Sequence, residues 1–327
     1  MKFRLAHQQV GNRICEASFL FFYGMQRRLP FWLFRKLSPP FLRLFIRLAI
    51  PRKRVVRNLS AAFGDSYTTA TKEGIASGVQ ENFLQNLMDC FWQLSDAQHA
   101  RNSIEIRGAE HLQTALAKGK GVIALGAHIG NFVLVGTRLG LEGQRCHTLF
   151  RIPADKRIEK LINRFLPHYH QSVIPTAAKR TAVTKILDAL KRNEIVHILG
   201  DNLKKGRIDA SLFGQRVSSP RGPISLALRT QAPVVPMYLV RNYQGAMNLV
   251  IEPEMELTRD GNLLENIERN TRRMVLFVES VIRKYPDQWN WLTVRLWKNQ
   301  PGRVSPASVR EPLQDWPRGS IDRPGVV

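Results

Sequence analysis

The chain has 327 residues, of which 44% are hydrophobic and 9% aromatic, so its composition is that of a globular protein with a sizeable core. Broad disorder is excluded. Its 49 Lys and Arg residues against 26 Asp and Glu residues give a formal net charge of +23. A charge of this size does not determine the fold, but it favours an anionic partner such as nucleic acid, an acidic membrane surface or an acidic protein.

The three cysteines, Cys15, Cys90 and Cys146, lie far apart and are odd in number. This pattern argues against a disulfide framework and favours a reducing compartment. No zinc-type spacing of Cys and His, no phosphate-binding loop and no dinucleotide fingerprint occurs, so we predict no metal and no nucleotide cofactor. The basic charge is not accompanied by any known DNA- or RNA-binding signature, and nucleic acid is therefore not a predicted partner.

Residues 1–57 hold 13 of the basic residues and a single acid, Glu16. The basic residues alternate with Phe, Leu and Trp, and no apolar run reaches the roughly 20 residues that a bilayer span needs. No site for signal-peptide cleavage is evident either. Basic and aromatic residues at helical spacing suit a helix that lies in a membrane interface. We predict a membrane-docking region here; the alternative is a basic helical hairpin that packs on the main domain.

From residue 103 onward, short apolar runs alternate with helical patterns, which is typical of an α/β sheet with helices on its faces. We predict one α/β domain over residues 58–299, which begins with helices at 58–100. Residues 300–327 contain five prolines and are predicted to be a loose tail. The predicted strands are 104–106, 122–125, 146–150, 171–174, 195–199, 233–240 and 248–252, and the predicted helices are 110–118, 157–166, 179–191, 224–229 and 265–284.

A histidine follows the strand predicted at 122–125, within the segment Gly126-Ala127-His128-Ile129-Gly130-Asn131. Ligands of open α/β sheets bind beyond the carboxyl ends of the strands, and a helix start offers N–H groups to a developing oxyanion. Histidine is the side chain best suited to accept a proton near pH 7. We therefore predict that His128 is a general base; the alternative is a histidine that only closes the loop.

Seven motifs, spread in order along the chain, carry a resemblance to one family. The segment from Gly126 to Phe132 resembles the H-x-G-N-W-E segment of the late lipid A acyltransferases, the lauroyl and myristoyl transferases. The other motifs similar to that family are Arg57-Asn58-Leu59 with Ala62-Phe63-Gly64, Phe150-Arg151-Ile152-Pro153, Gly200-Asp201-Asn202, Leu212-Phe213-Gly214 with Pro220 and Gly222-Pro223, Ala232-Pro233-Val234-Val235-Pro236 with Arg241, and Gln288-Trp289-Asn290-Trp291 through Trp297.

This resemblance implies a glycerolipid-acyltransferase-like α/β fold with a mixed central sheet flanked by helices. It implies an enzyme that moves a fatty acyl chain from acyl carrier protein, or from acyl-CoA, to a hydroxyl of a lipid acceptor such as a lipid A precursor. The implied location is the cytoplasmic face of the bacterial inner membrane, with peripheral or shallow insertion. The charge agrees independently, because acyl carrier proteins and phospholipid head groups are acidic.

The chain departs from the family motif at its acid. The family has an acid five residues after the histidine, where it orients the imidazole, whereas this chain has Val133. Loss of the acid in a hydrolase triad costs about 10⁴ in rate. Three explanations stay open. In the first, another side chain accepts the hydrogen bond from Nδ1; Asp201 is the candidate because it follows another predicted strand, and Asn131 is a less direct one. In the second, the acceptor substrate needs less help from a base. In the third, the chain is a catalytically degenerate lipid-binding or scaffold relative.

The resemblance also suggests further site residues. Arg151 is predicted to polarise the thioester carbonyl or to bind a phosphate, and backbone N–H groups near Gly130 to meet the oxyanion. Arg241 is predicted to pair with an acidic group of the acceptor or with Asp201. The other predicted substrate-binding residues are Asn131, Asn202, Phe213 and Gly214, while Trp289, Trp291 and Trp297 are either interface anchors or core residues.

The identity of the acceptor stays open. One alternative keeps the acyl transfer but changes the acceptor to another glycolipid, an aminolipid or a pigment precursor. A second histidine, His197, lies within an apolar strand pattern, and we predict it to be a core histidine with satisfied hydrogen bonds rather than a catalyst.

Overall fold

The computed structural model describes residues 16–95, 101–203, 206–294 and 296, so Trp297 and the predicted tail over 300–327 lie outside the described residues. Helices come first in the described part, which confirms the predicted helical N-terminal region. They are α1 over residues 16–28, α2 over Phe31–Ala49, α3 over Arg52–Phe63 and α4 over Thr69–Ser95, with a 3-10 turn at Gly64–Ser66 before α4.

Helix α2 is amphipathic and packs against α4. Phe34, Leu42 and Ile46 are buried on its inner side and belong to the main hydrophobic core. The predicted boundary at residue 57 falls inside α3, which also packs against α4. The outer side of α2 carries exposed apolar residues at helical spacing beside exposed basic ones: Leu37, Phe41, Leu44 and Leu48, with Lys36, Arg43 and Arg47. Within the described ranges, no helix is both long enough and apolar enough to cross a membrane.

The strands are β1 Ile104–Arg107, β2 Val122–Gly126, β3 Cys146–Phe150, β4 Gln171–Pro175, β5 Ile195–Leu199, β6 Ile208–Leu212, β7 Gln215–Ser219, β8 Val234–Arg241 and β9 Met247–Ile251. Seven of them form the central sheet in the order β1-β9-β8-β2-β5-β3-β4. The strands from β8 to β4 are parallel, whereas β9 is antiparallel to β8 and parallel to β1. The predicted mixed central sheet is thereby confirmed.

Helices cover both faces of this sheet. Successive residues of a strand point to opposite faces, so each strand contributes to two cores. In β2, Ile123 and Leu125 join the larger core with the N-terminal helices, whereas Val122 and Ala124 join the smaller one. The smaller core includes residues of α5 (Ala109–Leu116) and α6 (Val135–Leu141). The larger core includes residues of α8 (Lys179–Lys191), α9 (Gly222–Thr230) and α10 (Leu263–Lys284); α7 (Lys156–Phe165) and a 3-10 turn at Leu166–Tyr169 join β3 to β4.

The hairpin of β6 and β7 has no counterpart among the predicted strands. Its two-residue turn consists of Phe213 and Gly214, with φ of 52° and 70°. Positive φ at both central residues is the geometry of a type I′ hairpin turn, in which glycine is favoured and phenylalanine is unusual. Phe213 is held there because it stacks on Trp291 and contacts Phe63, at ring-centroid distances of 6.0 and 5.1 Å.

Candidate active site

The histidine loop, residues 127–131, follows β2 and precedes a 3-10 turn at Phe132–Leu134 that leads into α6. Gly130 in this loop has φ of 53°, and a Cβ at that position would collide with the carbonyl oxygen of Leu239 in β8. Glycine is required there for both reasons. The loop is thus pressed directly against the sheet, which fixes the position of His128.

Asp201 lies beside His128 because their strands are neighbours. β2 and β5 are parallel with Gly126 opposite Leu199, so the residues that follow the two strands emerge at the same edge of the sheet. The N–H of Gly200 donates to the carbonyl oxygen of Gly126 over 2.8 Å and continues the pairing by one residue. Asp201 was a candidate because it follows a predicted strand of the same sheet, and the structure places it beside His128 for that reason.

Asp201 holds His128 through two contacts. His128 Nδ1 lies 2.7 Å from Asp201 Oδ1, and the backbone N–H of His128 donates to Asp201 Oδ2 over 2.9 Å. The indole N–H of Trp289 donates to the same Oδ2 over 2.9 Å. Asp201 is fully buried, whereas the side chain of His128 is 29% exposed. The imidazole is therefore anchored on its Nδ1 side by a buried carboxylate.

Burial alone would raise the pKa of Asp201. Its charge interaction with His128, together with the hydrogen bonds from His128 and Trp289, outweighs that effect and holds the pKa of this carboxyl below its usual value. Asp201 is consequently ionised at neutral pH. An ionised carboxylate on Nδ1 is the arrangement that orients a histidine base and stabilises its cation.

An open pocket adjoins His128. One wall comes from α4, whose residues 79, 82, 83, 86, 87 and 90 recur at the spacing of one helix face. The lining also includes Phe132 and Val133 from the turn after the histidine loop, and Gln288, Trp289 and Asn290 from the segment after α10. The side chains from α4 thus face a histidine that a buried acid orients.

Val133, which stands at the family's acid position, lies on the wall of this pocket. Its side chain is 47% exposed and does not occupy the space beside Nδ1, because Asp201 is there. This geometry matches the first of the three explanations for the missing acid, in which a carboxylate from another strand replaces it. Asn131 does not take that role, since its side chain bonds to α4 instead.

Helix α4 braces the histidine loop through a polar network. The side-chain N–H of Asn86 donates to the carbonyl oxygen of Gly130 over 2.9 Å, and that of Asn131 donates to Asp89 Oδ2 over 3.1 Å. Arg241, at the end of β8, forms an ion pair with the same Asp89 oxygen. Burial lowers the pKa of Arg241 to about 10, so its guanidinium stays charged at neutral pH. Arg241 therefore pairs with Asp89 on α4 rather than with Asp201.

The remaining predicted substrate residues do not line the pocket beside His128. Arg151 is exposed just after β3, on the same sheet edge as His128, with β5 between β3 and β2. Asn202 is exposed beside Asp201. Phe213 and Gly214 form the turn of the β6–β7 hairpin, and neither lines the pocket beside His128.

The loop N–H groups that were expected to meet the oxyanion are used within the protein. Gly130 N–H donates to Gln288 O, and Asn131 N–H donates to Leu239 O, both over 2.9 Å. The N–H groups of the next two residues, Phe132 and Val133, have no acceptor among the described residues. They begin the 3-10 turn, where such groups lack intrahelical partners.

Several residues of the site have no counterpart among the predictions. Asp89 and Asn86 lie on α4, in a segment predicted only as helix. The sequence has no local signal that singles them out, because the amphipathic pattern of α4 is weak. Trp289 and Trp291 are fully buried, so they are core residues rather than interface anchors. The indole of Trp291 donates to the carbonyl oxygen of Pro286.

His197 is buried in β5 next to Gly126, but neither of its ring nitrogens has a hydrogen-bond partner among the described residues, so the predicted satisfied histidine is wrong in that respect. Burial, together with the charge of His128, lowers the pKa of His197 to about 4, and the ring is neutral at pH 7. In the part of the chain that the structure describes, no cluster of three or more His, Cys, Asp or Glu residues is arranged to hold a metal ion.

Sequence comparison identifies the class of protein to which this fold and this site belong. The family model of the bacterial lipid A biosynthesis acyltransferases matches residues 15–299, and the chain belongs to that family. The match includes the N-terminal helices, the central sheet and the segment with the buried tryptophans.

Three individual relatives are each less than 30% identical to this chain over the aligned residues. A phosphatidylinositol mannoside acyltransferase of Mycobacterium tuberculosis is 29% identical over 139 residues, which is 41% of this chain and 43% of the relative. The protein of the same name from Mycolicibacterium smegmatis is 23% identical over 209 residues, 62% and 66% of the two chains. A lipid A biosynthesis acyltransferase of Haemophilus influenzae is 23% identical over 212 residues, 63% of each chain. The match thus spans less than half the length of the M. tuberculosis relative.

Proposed function

We propose that this protein is an acyltransferase that moves a fatty acyl chain from a thioester donor to a hydroxyl of a lipid acceptor. The observation that carries the proposal is the contact of 2.7 Å between His128 Nδ1 and the buried Asp201 Oδ1, next to an open pocket. Membership of the lipid A biosynthesis acyltransferase family supports the same class of reaction.

In the proposed mechanism, Asp201 accepts a hydrogen bond from the Nδ1–H of His128 and fixes the tautomer in which Nε2 carries the lone pair. Nε2 then removes the proton of the acceptor hydroxyl while its oxygen attacks the thioester carbonyl carbon. The carbonyl electrons move onto oxygen, and Asp201 stabilises the imidazolium. When the intermediate collapses, the C–S bond breaks and the imidazolium returns the proton to the thiolate. The products are an ester and a free thiol.

The oxyanion of that intermediate requires donors that the protein does not already use. We assign this role to the N–H groups of Phe132 and Val133, which follow the histidine loop and have no acceptor in the described part of the chain. Arg151 is exposed at the same edge of the sheet, two strands away from β2. We assign it to a phosphate of the donor or acceptor, because an exposed guanidinium suits an anion at the pocket's approach.

The outer side of α2 supports docking on an anionic bilayer. Exposed Leu37, Phe41, Leu44 and Leu48 form a narrow apolar stripe flanked by exposed basic residues. We place the protein on the cytoplasmic face of the bacterial inner membrane, where it is peripheral or shallowly inserted. The donor we propose is acyl carrier protein, whose acidic surface suits a chain of net charge +23, with acyl-CoA as the alternative.

The acceptor we propose is a membrane glycolipid that offers a hydroxyl. The family name points to a lipid A precursor, and the names of the mycobacterial relatives point to a mannosylated phosphatidylinositol. The alternative of a catalytically degenerate lipid-binding relative rested on the valine at position 133. It loses that support because Asp201 provides the carboxylate from another strand.

The test is acyl transfer from acyl carrier protein to a membrane lipid extract, with lipid mass spectrometry as the readout. The full chain is compared with His128→Ala and with His197→Ala as the matched control, since His197 is buried in the middle of β5 and takes no part in the proposed mechanism. We expect a new acylated lipid that disappears only in His128→Ala. A product formed equally well by His128→Ala would overturn the proposal.

A further inference from the structure

The connection between β3 and β4 carries a second basic surface, which differs in character from the outer side of α2. Helix α7 is amphipathic, and its inner side buries Ile158. Its outer side is exposed and basic, with Lys156, Arg157, Lys160 and Arg164. Over Lys156–Phe165, all of which the structure describes, no large apolar side chain is exposed, whereas α2 exposes several. The outer side of α7 thus offers charge without the apolar side chains that insert into a bilayer.

Two of these cations have no acidic partner. The acids at the start of α7 are each in an ion pair with a neighbouring cation: Asp155 with Arg157, and Glu159 with Lys156. Lys160 and Arg164 form no ion pair with any described residue, although the guanidinium of Arg164 lies over the ring of Phe165. They are four residues apart, so they lie on the same face of the helix. The outer side of α7 therefore keeps two positive charges that no acid compensates.

Helix α1 adds a third cation and links α7 to the helix that lines the pocket. Phe19 of α1 stacks on Phe91 of α4, with ring centroids 5.4 Å apart. One turn further along α1, Tyr23 contacts Phe165 at the end of α7, with ring centroids 6.4 Å apart. Arg27 follows Tyr23 by four residues, so it lies on the same face of α1. It is exposed and forms no ion pair within the described ranges.

A fourth cation brings this basic surface to the catalytic edge of the sheet. Arg151 follows β3 directly, at the edge where His128 and Asp201 follow β2 and β5. It is exposed, and none of the residues that the structure describes forms an ion pair with it. The acid of α1, Glu16, accepts the backbone N–H of Ala154 and pairs with none of these cations. Exposed cations without acidic partners therefore extend from the catalytic edge along α7.

We propose that this surface, formed by Lys160 and Arg164 with Arg27 and Arg151, is the docking site of the acidic acyl carrier protein, while the outer side of α2 contacts the bilayer. The inference rests on the proposed acyl transfer and adds the place where its donor binds. These cations can bind carboxylates without breaking an existing ion pair, so no lost partner offsets the attraction. A bilayer is the poorer occupant, because α7 exposes no apolar side chain to insert.

The test measures binding of unacylated acyl carrier protein to the full chain, so that neither an acyl chain nor turnover contributes. Lys160→Glu with Arg164→Glu is compared with wild type and with the matched control Lys53→Glu with Arg57→Glu. Lys53 and Arg57 are also exposed and four residues apart, on α3, so both double variants change the net charge equally. Fluorescence anisotropy gives the affinities. We expect the α7 variant to bind at least about tenfold more weakly than the control, and wild-type binding to weaken as salt rises.

A second readout separates the carrier protein from a membrane. Both double variants should sediment alike with phosphatidylglycerol vesicles, because α2 is unchanged in each. A loss of vesicle binding in the α7 variant that exceeds its loss of carrier binding would make α7 a membrane surface and overturn the inference. So would equal carrier binding by the two double variants, or a wild-type chain that does not bind the carrier.

Two further variants separate folding and chemistry from docking. Lys160→Gln with Arg164→Gln removes both charges without placing two acids side by side, and it should weaken carrier binding in the same direction but less. Unchanged carrier binding in this neutral variant would also contradict the docking site. His128→Ala should bind the carrier as wild type does, because His128 lies in the pocket and not on the α7 surface. Failure of the transfer reaction is therefore distinguishable, since it is tested by product formation alone.

Discussion

Trp289 donates its indole N–H to Asp201 Oδ2 over 2.9 Å, with both residues fully buried. This hydrogen bond joins the segment after α10 to the end of β5, beneath the pocket. The neighbouring Trp291 is equally buried, but its indole donates to a neutral carbonyl oxygen, that of Pro286. The two tryptophans therefore form a matched pair in which only one bonds to an ionised group.

Trp289→Phe should lower the free energy of unfolding at pH 7 by about 1–3 kcal/mol beyond the packing loss, since a buried carboxylate loses a donor. The folded pKa of Asp201 lies below its usual value near 4, so the unfolded chain binds more protons between the two values and stability rises with pH there. The contribution of Asp201 to the free energy of unfolding is complete above about pH 4 and is lost as the pH falls through the folded pKa.

Without the Trp289 donor, the folded pKa of Asp201 rises towards its unfolded value. The stability deficit of Trp289→Phe should therefore be full above about pH 4 and shrink below it. Denaturant titrations from pH 3 to pH 7 check this. Trp291→Phe serves as the control, because its deficit should not depend on pH over this range. Parallel pH dependence in the two variants would count against an ionised Asp201.

The ion pair of Asp89 and Arg241 should hold the histidine loop against α4. Both side chains are mostly buried, so Arg241→Met leaves an uncompensated buried carboxylate and should cost about 3–5 kcal/mol of stability. The double variant Asp89→Leu with Arg241→Met should be more stable than Arg241→Met alone. A double-mutant cycle by denaturant unfolding measures this coupling. Strictly additive effects of the two substitutions would mean that the pair does not act as a unit.

The exposed apolar stripe on α2 should control membrane binding. Leu48→Ser removes one of its most exposed residues and should weaken partition onto anionic vesicles about tenfold, from the free energy of burying one leucine. Leu264→Ser is the matched control, because Leu264 is an exposed leucine on a different helix, α10. Sedimentation with vesicles of phosphatidylglycerol checks this. Equal losses in both variants would indicate that α2 is not the docking surface.

Restoring the family's acid at position 133 should not help this protein. Val133→Glu places a carboxylate on the pocket wall while Asp201 still occupies Nδ1, so kcat should stay level or fall. Val133→Gln has the same size without the charge and separates the two effects. Steady-state acyl transfer gives the comparison. A tenfold gain in kcat with Val133→Glu would instead show that His128 lacks an effective acid.

The sheet was predictable because its parallel strands are buried on both faces and therefore appear as apolar runs between helices. The β6–β7 hairpin was not, because Ile208–Leu212 and Gln215–Ser219 include exposed polar residues and lack a typical turn pair. Its turn is formed by Phe213 and Gly214, and Phe213 adopts a positive φ through packing on Trp291. Such a tertiary contact overrides the local turn preference.

Some residues of the candidate site were likewise predictable from the sequence, and others were not. Asp201 was predictable, because residues that follow neighbouring parallel strands meet at one edge of the sheet. Asp89 was not, because a helix outside the sheet brings it to the loop, and no local pattern fixes how α4 is rotated. Arg241 was predicted to pair with an acidic group of the acceptor or with Asp201, and Asp89 was missed for the same reason. Its partner depends on where α4 lies relative to the end of β8, which the sequence does not encode locally.

The central claim is that Asp201 is the acid of a two-residue base with His128. The most direct test is kcat for acyl transfer by Asp201→Asn, an isosteric change. The Asn side chain presents an N–H to Nδ1, which forces the proton onto Nε2 and removes the base. We expect kcat to fall by about 10³–10⁴, as when a triad acid is lost, while folding is retained. A kcat within about threefold of wild type would contradict the account.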